Sequence, residues 1–325
     1  MSRVGIVVIG RNEGERLRAC VHSLATSDVR VVYVDSGSTD DSVQFVKMLG
    51  YDSIELDMST PFSAARARNE GYRYLLEHYH DICYIQFVDG DCEVSKHWLS
   101  TAVSHLQSHS QVVAVCGRRQ ERYPEATWYN CLCDIEWNTP IGLAMATGGD
   151  FMCRAHALRD VGGFSSQVIA GEEPELCYRW RQGGWLIERI DAPMTLHDAA
   201  MTSVSQWWKR CERAGHAYAQ GFDLHGAGGE KYYRAEVLRA VFWSVLALLI
   251  ITLSMTISAW VLMFLGIYCA KVIQLSLKNK KRLGFMTSFV YSLSLVLSKF
   301  AEAKGVATFY YKKLLRRGFH IIEYK

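Results

Sequence analysis

The chain has 325 residues, a formal charge of +3 from 36 basic and 33 acidic residues, and a mean hydropathy near zero. This composition excludes a disordered or collagen-like chain, and the length fits one large domain or two ordinary ones. The charge is uneven, because from Lys271 onward 12 Lys or Arg face two acids, 12 − 2 = +10, leaving 24 − 31 = −7 upstream. The two parts of the chain are therefore expected to face different surroundings.

Ten cysteines are scattered along the chain, and the spacing of the close pair Cys131 and Cys133 fits neither zinc nor redox motifs. We interpret the cysteines as reduced and mostly packing residues. The N-terminal apolar run is short and is soon followed by charges, unlike a signal peptide. About the first 230 residues are therefore predicted to lie in the cytosol.

Short apolar runs alternate with longer amphipathic stretches in the upstream part of the chain. Runs rich in Val and Ile predict buried strands at residues 4–9, 31–34, 83–88, 112–115 and 185–190. Ser38 and Thr39 are predicted N-caps of a helix with Asp40 and Asp41 in its first turn, and a second helix is predicted over residues 62–79. The alternation predicts an α/β fold with a mainly parallel central sheet flanked by helices.

A stretch of 31 residues without formal charge, 240–270, is long enough to cross a membrane. One straight helix over this stretch would be roughly 46 Å long, which exceeds the thickness of about 30 Å of the hydrocarbon core of a bilayer. If the stretch forms a hairpin instead, each of its two helices would be slightly too short to cross the core. Basic residues on both sides favour a hairpin returning to the cytosolic side, with Ser254, Thr256 and Ser258 near the bend. A second uncharged run, 283–298, predicts a tight span, a re-entrant piece or an interfacial helix.

The strongest local signal is Asp89-Gly90-Asp91, which directly follows a predicted strand. Ligands of open α/β sheets gather beyond the carboxyl ends of strands, and side chains two apart in extended backbone share a face. Two adjacent carboxylates repel unless a cation lies between them, and a hard divalent ion that also binds a diphosphate meets that need. The simpler alternative is a polar turn after a strand.

Acidic or amide side chains also directly follow two other predicted strands. Asp35 follows the second strand, and Asn12 and Glu13 follow the first, which indicates one shared nucleotide crevice. Arg66 and Arg68 add cations at a helix start, suited to a uracil edge or a phosphate. The alternative is that both are solvated surface arginines.

Together these motifs resemble those of glycosyltransferase family 2, the inverting sugar-nucleotide enzymes of the GT-A fold. The segments that carry the resemblance are 9–14 (IGRNEG), 34–40 (VDSGSTD), 67–71 (ARNEG), 89–91 (DGD), 148–150 (GGD), 161–164 (VGGF) and 171–179 (GEEPELCYR). The match covers about residues 3–220, and the ordered set is far more specific than any one member. It implies a GT-A fold with a Rossmann-like sheet, followed here by C-terminal membrane helices.

The resemblance implies a role for each matching residue. Glu173 falls where the family usually has the Asp that acts as general base, and this departure leaves open whether Glu173 or Glu172 transfers the proton. Asp91 and Asp89 are the implied ligands of Mg²⁺ or Mn²⁺. The implied nucleotide and donor contacts are Asn12, Glu13, Asp35, Arg68, Asp89, Gly148 and Gly149.

The implied reaction explains why these residue types occur together. Displacing a nucleoside diphosphate from an anomeric carbon builds negative charge on the leaving phosphate, which a metal stabilises. A carboxylate takes the proton of an acceptor hydroxyl, and the single displacement inverts the configuration. A lipid phosphate needs no base, so the glutamate pair favours a hydroxyl acceptor. The alternative for the pair is an acidic helix start stabilised by the helix dipole.

Two features further along the chain allow more than one interpretation. His197 lies about 25 residues beyond the acidic pair, where several GT-A enzymes place a third metal ligand, although a single His is often structural. Residues 206–210 (QWWKR) resemble the Gln-x-x-Arg-Trp box of processive polysaccharide synthases but lack its final Trp. We interpret residues 203–220 as an interfacial helix, with Trp207 and Trp208 at the membrane surface.

The sequence therefore predicts a membrane-attached, metal-dependent, inverting glycosyltransferase with its catalytic domain at 1–232 and a membrane-associated region at 233–325 that ends in a basic tail. The expected partners are a nucleotide-sugar donor, a UDP-sugar being favoured, a lipid-linked or membrane-presented acceptor, and membrane lipids, but no nucleic acid. The expected location is the cytoplasmic face of a bacterial-type inner (plasma) membrane. The alternatives are a polyprenyl-phosphate sugar synthase and a non-catalytic membrane scaffold on the same fold.

Overall fold

The structure is a computed structural model that describes residues 3–25 and 29–316. The chain divides into two compact units, Met1–Ala200 and Met201–Lys325. This division falls before the predicted domain boundary at residue 232, so the predicted interfacial helix belongs to the second unit. Each unit has its own secondary structure.

The first unit is built on one mixed sheet. Within the described residues its nine strands are β1 (Arg3–Gly10), β2 (Val29–Asp35), β3 (Asp52–Glu55), β4 (Ile82–Asp89), β5 (Cys92–Val94), β6 (Val112–Glu121), β7 (Gly142–Leu143), β8 (Phe151–Arg154) and β9 (Leu186–His197). The strand order is β3-β2-β1-β4-β8-β6-β9-β5, with β7 paired to β9. All five predicted strands are present, and the predicted α/β class with a Rossmann-like sheet is confirmed.

The β3-β2-β1-β4 half of the sheet is parallel, and β6 is parallel to β9. Strand β8 runs antiparallel to both β4 and β6 and separates the two parallel parts. In the parallel half, Gly10 of β1 is level with Asp35 of β2, while Ile9 is level with Asp89 of β4. The carboxyl ends of β1, β2 and β4 therefore meet at one edge of the sheet, as the sequence predicted.

Seven helices of the first unit flank this sheet in the described part of the chain: α1 (Glu15–Ser23), α2 (Ser42–Met48), α3 (Ala64–His78), α4 (Trp98–Ser108), α5 (Trp128–Trp137), α6 (Ala155–Asp160) and α7 (Glu172–Gln182). Helix α3 begins at the N-cap Ser63, whose hydroxyl accepts the Arg66 N–H. It packs closely on the sheet, because a Cβ at Gly71 would lie 2.4 Å from the side chain of Val7.

The predicted caps of α2 are wrong. Asp41, not Ser38 or Thr39, occupies the N-cap position of α2. The two hydroxyl residues instead bind Asn12, because the Ser38 hydroxyl accepts its N–H at 2.9 Å and the Thr39 N–H donates to its side-chain oxygen at 2.7 Å. A contact between two loops far apart in sequence has therefore replaced the local cap.

The second unit is helical. It contains α8 (Val204–His225), α9 (Arg234–Thr256), a 3-10 helix (Ala259–Leu265), α10 (Gly266–Leu283) and α11 (Phe285–Leu314). Helix α8 begins with a capping box in which the Ser203 hydroxyl accepts the N–H of Gln206 and the Gln206 side chain accepts the N–H of Ser203. The glutamine of the QWWKR segment therefore caps the helix start.

The backbones of α8 and α11 approach each other very closely. A Cβ at Gly215 would lie 2.0 Å from the carbonyl oxygen of Glu302, and one at Gly305 would lie 2.1 Å from that of Glu212. Glycine is required at both positions, because real side chains do not occupy such short distances. The ring of Phe309 packs edge-on against His216 beside this crossing, at a centroid distance of 5.3 Å.

The uncharged run 240–270 forms two limbs rather than one helix. Helix α9 ends at Thr256, and the chain continues into the 3-10 helix and α10. Among the described residues, Arg234–Thr256 and Ala259–Leu283 are long and apolar enough to cross a membrane, and each contains an 18-residue window whose mean hydropathy is 2.2 and 1.7, respectively. The second uncharged run forms the first half of α11, which continues to Leu314. The last part of the predicted basic tail, 317–325, lies outside the described residues.

Candidate functional site

Asp89 and Asp91 leave the end of β4 on either side of a tight turn. The N–H of Gly90 donates to the carbonyl oxygen of Ile9 at 2.8 Å, and a Cβ at Gly90 would lie 3.0 Å from that same oxygen. Only glycine lets the backbone pass this close to β1 without displacement. Beyond the turn, the two carboxylates contact different partners.

Asp89 lies between two arginines. The guanidinium of Arg68 is 2.9 Å from its Oδ1 and that of Arg119 is 3.2 Å from its Oδ2, while the Asp89 N–H donates to Asp150 at 3.0 Å. Burial acts to raise the pKa of Asp89, but the two guanidinium groups outweigh it and hold that pKa below its usual range. Both oxygens of this predicted metal ligand therefore already face cations.

Asp91 instead contacts His197 at the end of β9. The His197 Nε2 lies 3.2 Å from Asp91 Oδ2, and the Nδ1 lies 3.9 Å from Glu121 Oε2. Trp137 packs edge-on against the imidazole at a centroid distance of 4.7 Å. Burial acts to raise the pKa of Glu121, but His197 and the N–H groups of Ala199 and Tyr123 lower it below its usual value. Glu121, His197 and Asp91 thus form a carboxylate–imidazole–carboxylate row.

The two candidate bases lie at the N-terminus of α7. Oε1 of Glu172 and Oε1 of Glu173 each lie 2.9 Å from Nη1 of Arg68. Burial and the neighbouring Glu172 raise the pKa of Glu173 from 4.5 to about 7, against the opposing effect of Arg68. Arg68, which is 2% exposed, therefore joins the glutamate pair to Asp89.

The predicted nucleotide residues at β1 and β2 organise their own loops. The Asp35 carboxylate accepts the Tyr33 hydroxyl at 2.9 Å and the N–H groups of Gly37 and Ser38 at 2.9 and 2.7 Å. Asn12 has a positive φ of 55° and binds the same loop, and Glu13 lies 2.8 Å from Arg16. Asp35 is level with Gly10, whereas Asp89 is level with Ile9, so the two acids lie about two strand spacings, or about 10 Å, apart.

Gly149 lies directly against the acidic end of β4. A Cβ at Gly149 would lie 2.6 Å from Asp89 Oδ2 and 3.0 Å from the guanidinium of Arg68, whereas one at Gly148 would meet no atom within 4 Å. The predicted glycine loop is therefore close to Asp89, and only its second glycine is required by packing.

Other residues of the motifs that carried the resemblance have structural contacts. The Asn69 amide donates to the carbonyl oxygen of Phe164 at 2.8 Å and accepts its N–H at 2.9 Å. Gly163, with φ 76°, approaches Asn69 so closely that a Cβ would lie 2.5 Å from its oxygen. Arg66 donates to the carbonyl oxygens of Asp57 and Thr60 at 2.9 and 2.8 Å. These contacts hold the loops around the site.

Sequence reasoning missed three residues of the site: Arg119, Glu121 and Asp150. Arg119 and Glu121 are among the last three residues of strand β6, whereas the predicted strand ended at residue 115. Asp150 is fully buried and accepts the Thr195 hydroxyl at 2.7 Å. The detectable signal was the charged segment 118–121 (RRQE), which directly follows an apolar strand.

Part of the chain is similar in sequence to known glycosyltransferases. The sequence model of glycosyl transferase family 2 matches residues 5–159. The pre-mycofactocin glycosyltransferase of Mycobacterium tuberculosis is 28% identical over 222 residues, which cover 64% of this chain and 45% of that protein. The chain thus spans about half the length of the curated relatives it matches.

Two solved structures share the fold. The mannosyltransferase PcManGT from Pyrobaculum calidifontis, in complex with GDP-Man and Mn²⁺, aligns with a TM-score of 0.57 and 19% identity over 90% of this chain and 86% of that chain. Residues 1–349 of S. aureus TarS align with a TM-score of 0.51 and 13% identity over 98% of this chain and 93% of that chain. The predicted GT-A fold is confirmed by these matches.

Proposed function

We propose, from the match of residues 5–159 to glycosyl transferase family 2, that the chain transfers one sugar, with inversion, from a nucleotide-sugar donor to a hydroxyl of a membrane-presented acceptor. The observation that carries the proposal is the network at the edge of the sheet, in which Arg68 links Asp89 to the glutamates of α7. Asp91, which follows the same strand end, and His197, at the end of β9, form a pair suited to a cation.

We propose that Asp91 and His197 hold Mg²⁺ or Mn²⁺. Their side chains are 5% and 6% exposed with Nε2 and Oδ2 only 3.2 Å apart, and Glu121 lies behind the imidazole, as carboxylates do behind metal-binding histidines. A divalent cation held there supplies positive charge against a leaving nucleoside diphosphate. PcManGT contains Mn²⁺, which supports the same class of ion here.

The proposed donor site lies along the ends of β1, β2 and β4. Asp35 and Asn12 fix the loop after β2 through hydrogen bonds to its N–H groups, which shapes a pocket for the base. Gly149 brings the backbone directly against Asp89, and the space beside Gly148, where a Cβ would meet no atom within 4 Å, is the proposed position of the donor sugar. A UDP-sugar is the favoured donor, and the GDP-Man of PcManGT makes a guanosine donor the direct competitor to test.

Glu173 is the proposed base. A general base acts most efficiently when its pKa lies near the working pH, and burial beside Glu172 brings the pKa of Glu173 to about 7. Arg68 acts as a positioning residue, because it holds both glutamates and Asp89 rather than presenting its guanidinium to solvent. This arrangement supports a neutral hydroxyl as acceptor over a phosphate that is already ionised.

Membrane attachment is proposed from the second unit. Large apolar side chains of α9 and the following segment are exposed, among them Leu248 at 64%, Trp260 at 78% and Met263 at 71%. Basic residues follow in the last turn of α10 and attract an anionic leaflet, at about 1 kcal/mol each. This supports attachment at the cytoplasmic face of a bacterial-type inner membrane, with a lipid-linked or membrane-presented acceptor.

The test uses the full chain purified in detergent and a panel of UDP-, GDP- and dTDP-sugars. One donor is expected to raise the melting temperature and to be slowly hydrolysed, in both cases only with Mn²⁺ or Mg²⁺. Asp91→Asn should abolish both effects, whereas Asp191→Asn, at a side chain 84% exposed, should retain them. Absence of binding and hydrolysis across the panel would contradict the proposal. Activity retained after Glu172→Gln and Glu173→Gln together would favour a polyprenyl-phosphate acceptor.

A further inference from the structure

Three side chains of different metal-binding chemistry lie together beside the turn after β4. Asp91, Cys92 and His197 each offer one donor atom, all within 4.8 Å of one another. The Cys92 Sγ lies 3.6 Å from Asp91 Oδ1, and the His197 Nε2 lies 3.2 Å from Asp91 Oδ2. All three residues are buried. The cluster thus offers oxygen, sulfur and nitrogen in one place.

Sulfur changes which cation such a cluster prefers. Mg²⁺ takes oxygen ligands almost exclusively, whereas thiolate ligands select softer ions such as Zn²⁺, which commonly binds three protein ligands in a catalytic site. Resting on the metal site of the proposed function, we propose that Cys92 is a ligand in that site. The Asp91, Cys92 and His197 cluster then binds Zn²⁺ and similar thiophilic divalent cations through the Cys92 sulfur.

The neighbouring contacts place the cation on the His197 side of Cys92. Cys92 also forms a group of close donors with Asp89 and Asp150. That group already holds a cation, because Arg119 lies 3.2 Å from the Asp89 carboxylate and 3.5 Å from that of Asp150. A metal ion there would be repelled by a fixed positive charge.

Glu121 and Arg119 contact two of the proposed metal ligands, His197 and Cys92. His197 lies between two carboxylates, with Nε2 3.2 Å from Asp91 Oδ2 and Nδ1 3.9 Å from Glu121 Oε2. A cation bound at Nε2 leaves the ring proton on Nδ1, on the side of Glu121. Arg119 Nη2 also lies 3.4 Å from the Cys92 sulfur, so a cation bound by this sulfur would lie on its side away from the guanidinium. The Nε2 of His197 and the Sγ of Cys92 both lie beside the Asp91 carboxylate.

The first test is spectroscopic and needs no turnover. The metal-free full chain is titrated with Co²⁺, and a thiolate-to-cobalt charge-transfer band is expected in the wild type and in Cys133→Ser, a buried thiol on α5 outside the cluster. Cys92→Ser should lack the band. A band that persists in Cys92→Ser, or no band in the wild type, would overturn the proposal.

The second test compares affinities by calorimetry. Loss of a direct ligand should weaken Zn²⁺ binding by at least the about 10–100-fold that loss of an outer-shell partner costs, while Mn²⁺ affinity changes by less than about threefold. Equal losses for both ions would contradict a sulfur ligand. X-ray absorption of the zinc-loaded wild type, expected to show sulfur at about 2.3 Å, decides the matter if the variants do not fold.

These outcomes are separable from failure of the proposed function. A wild type that binds Mn²⁺ and hydrolyses a sugar nucleotide, but shows no charge-transfer band and no zinc–sulfur distance, removes Cys92 from the site and leaves the glycosyltransferase proposal intact. A wild type with both sulfur signatures but no affinity for any sugar nucleotide supports the metal site and contradicts the proposed reaction.

Discussion

The guanidinium of Arg68 lies 2.9 Å from the carboxylate of Glu173, although one residue is on α3 and the other on α7. The same guanidinium contacts Asp89 at the end of β4. A single buried cation therefore joins the acid proposed to accept a proton to the strand end proposed to bind the donor. Several predictions about pH, stability and binding depend on this link.

We expect kcat/KM to rise with pH through about 7, because Glu173 acts as a base only when ionised and its pKa is raised to about 7. Glu173→Gln should lose this pH dependence together with about 10²–10⁴-fold of activity. The measurement is a pH profile with saturating metal. If the pH dependence of kcat/KM in Glu173→Gln is the same as in the wild type, Glu173 is not the base. Glu172→Gln is the matched comparison.

The same pKa shift predicts a pH-dependent stability. A raised pKa means that the folded state holds the proton more tightly than the unfolded chain, so this contribution is full below about 4.5 and is lost as pH rises to about 7. Glu173→Gln should therefore match the wild type at pH 4 and exceed its stability at pH 8, by up to about 3 kcal/mol. Urea unfolding at both pH values tests this, and a Gln variant that is less stable at pH 8 would refute it.

Arg68→Met should destabilise the first unit by about 3–5 kcal/mol, because it leaves three carboxylates without their shared cation. Adding Glu173→Gln should recover part of the loss, since one buried charge is removed. Arg66→Met is the control, expected to cost only about 1 kcal/mol, because Arg66 bonds two carbonyl groups and no carboxylate. Chemical denaturation of the four proteins measures the differences.

Gly149→Ala should disturb Asp89 directly, because the added methyl group would lie 2.6 Å from its carboxylate. We expect a stability loss of about 1–3 kcal/mol and donor binding weakened by about 100-fold. Gly148→Ala, whose methyl group meets no atom within 4 Å, should unfold at the wild-type temperature. Equal melting temperatures of all three proteins would show that the loop relaxes away from Asp89.

Leu249→Lys should weaken membrane association, because Leu249 is 53% exposed on α9 and a charge at the centre of a span costs about 2.5–3.5 kcal/mol. Resistance to carbonate extraction from membranes is the measurement. Met48→Lys, at a side chain 75% exposed in the first unit, should extract like the wild type. A wild-type chain that is released by carbonate would contradict the proposed spans.

The sequence was sufficient where a local pattern determines the structure. Runs of Val and Ile are buried on both faces of a sheet, so β1, β2 and β4 were predictable, and with them the positions of Asp35 and Asp89. The bend after Thr256 was predictable because basic residues flank both ends of the uncharged run 240–270, which favours a hairpin with its bend near Ser254, Thr256 and Ser258.

The sequence was insufficient where contacts between distant segments determine the structure. Strand β8 has four residues and lies antiparallel between β4 and β6. The hydrophobic periodicity of the sequence does not predict this position in the sheet. The guanidinium of Arg68, a predicted nucleotide contact, also pairs with Asp89 and the glutamates of α7, which the sequence did not show. Asp89, a predicted metal ligand, also faces Arg119 of β6. Both predicted roles stay predictions.

The crossing of α8 and α11 at Gly215 and Gly305 sets an order of events during synthesis. Helix α8 leaves the ribosome long before its partner, and the groove that accepts the Glu302 backbone stays empty until α11 has been translated. The first unit contains every strand of the described sheet and is free to fold in that interval. Completion of the helical unit therefore waits until α11 has been translated, and until then Gly215 of α8 has no backbone packed against it.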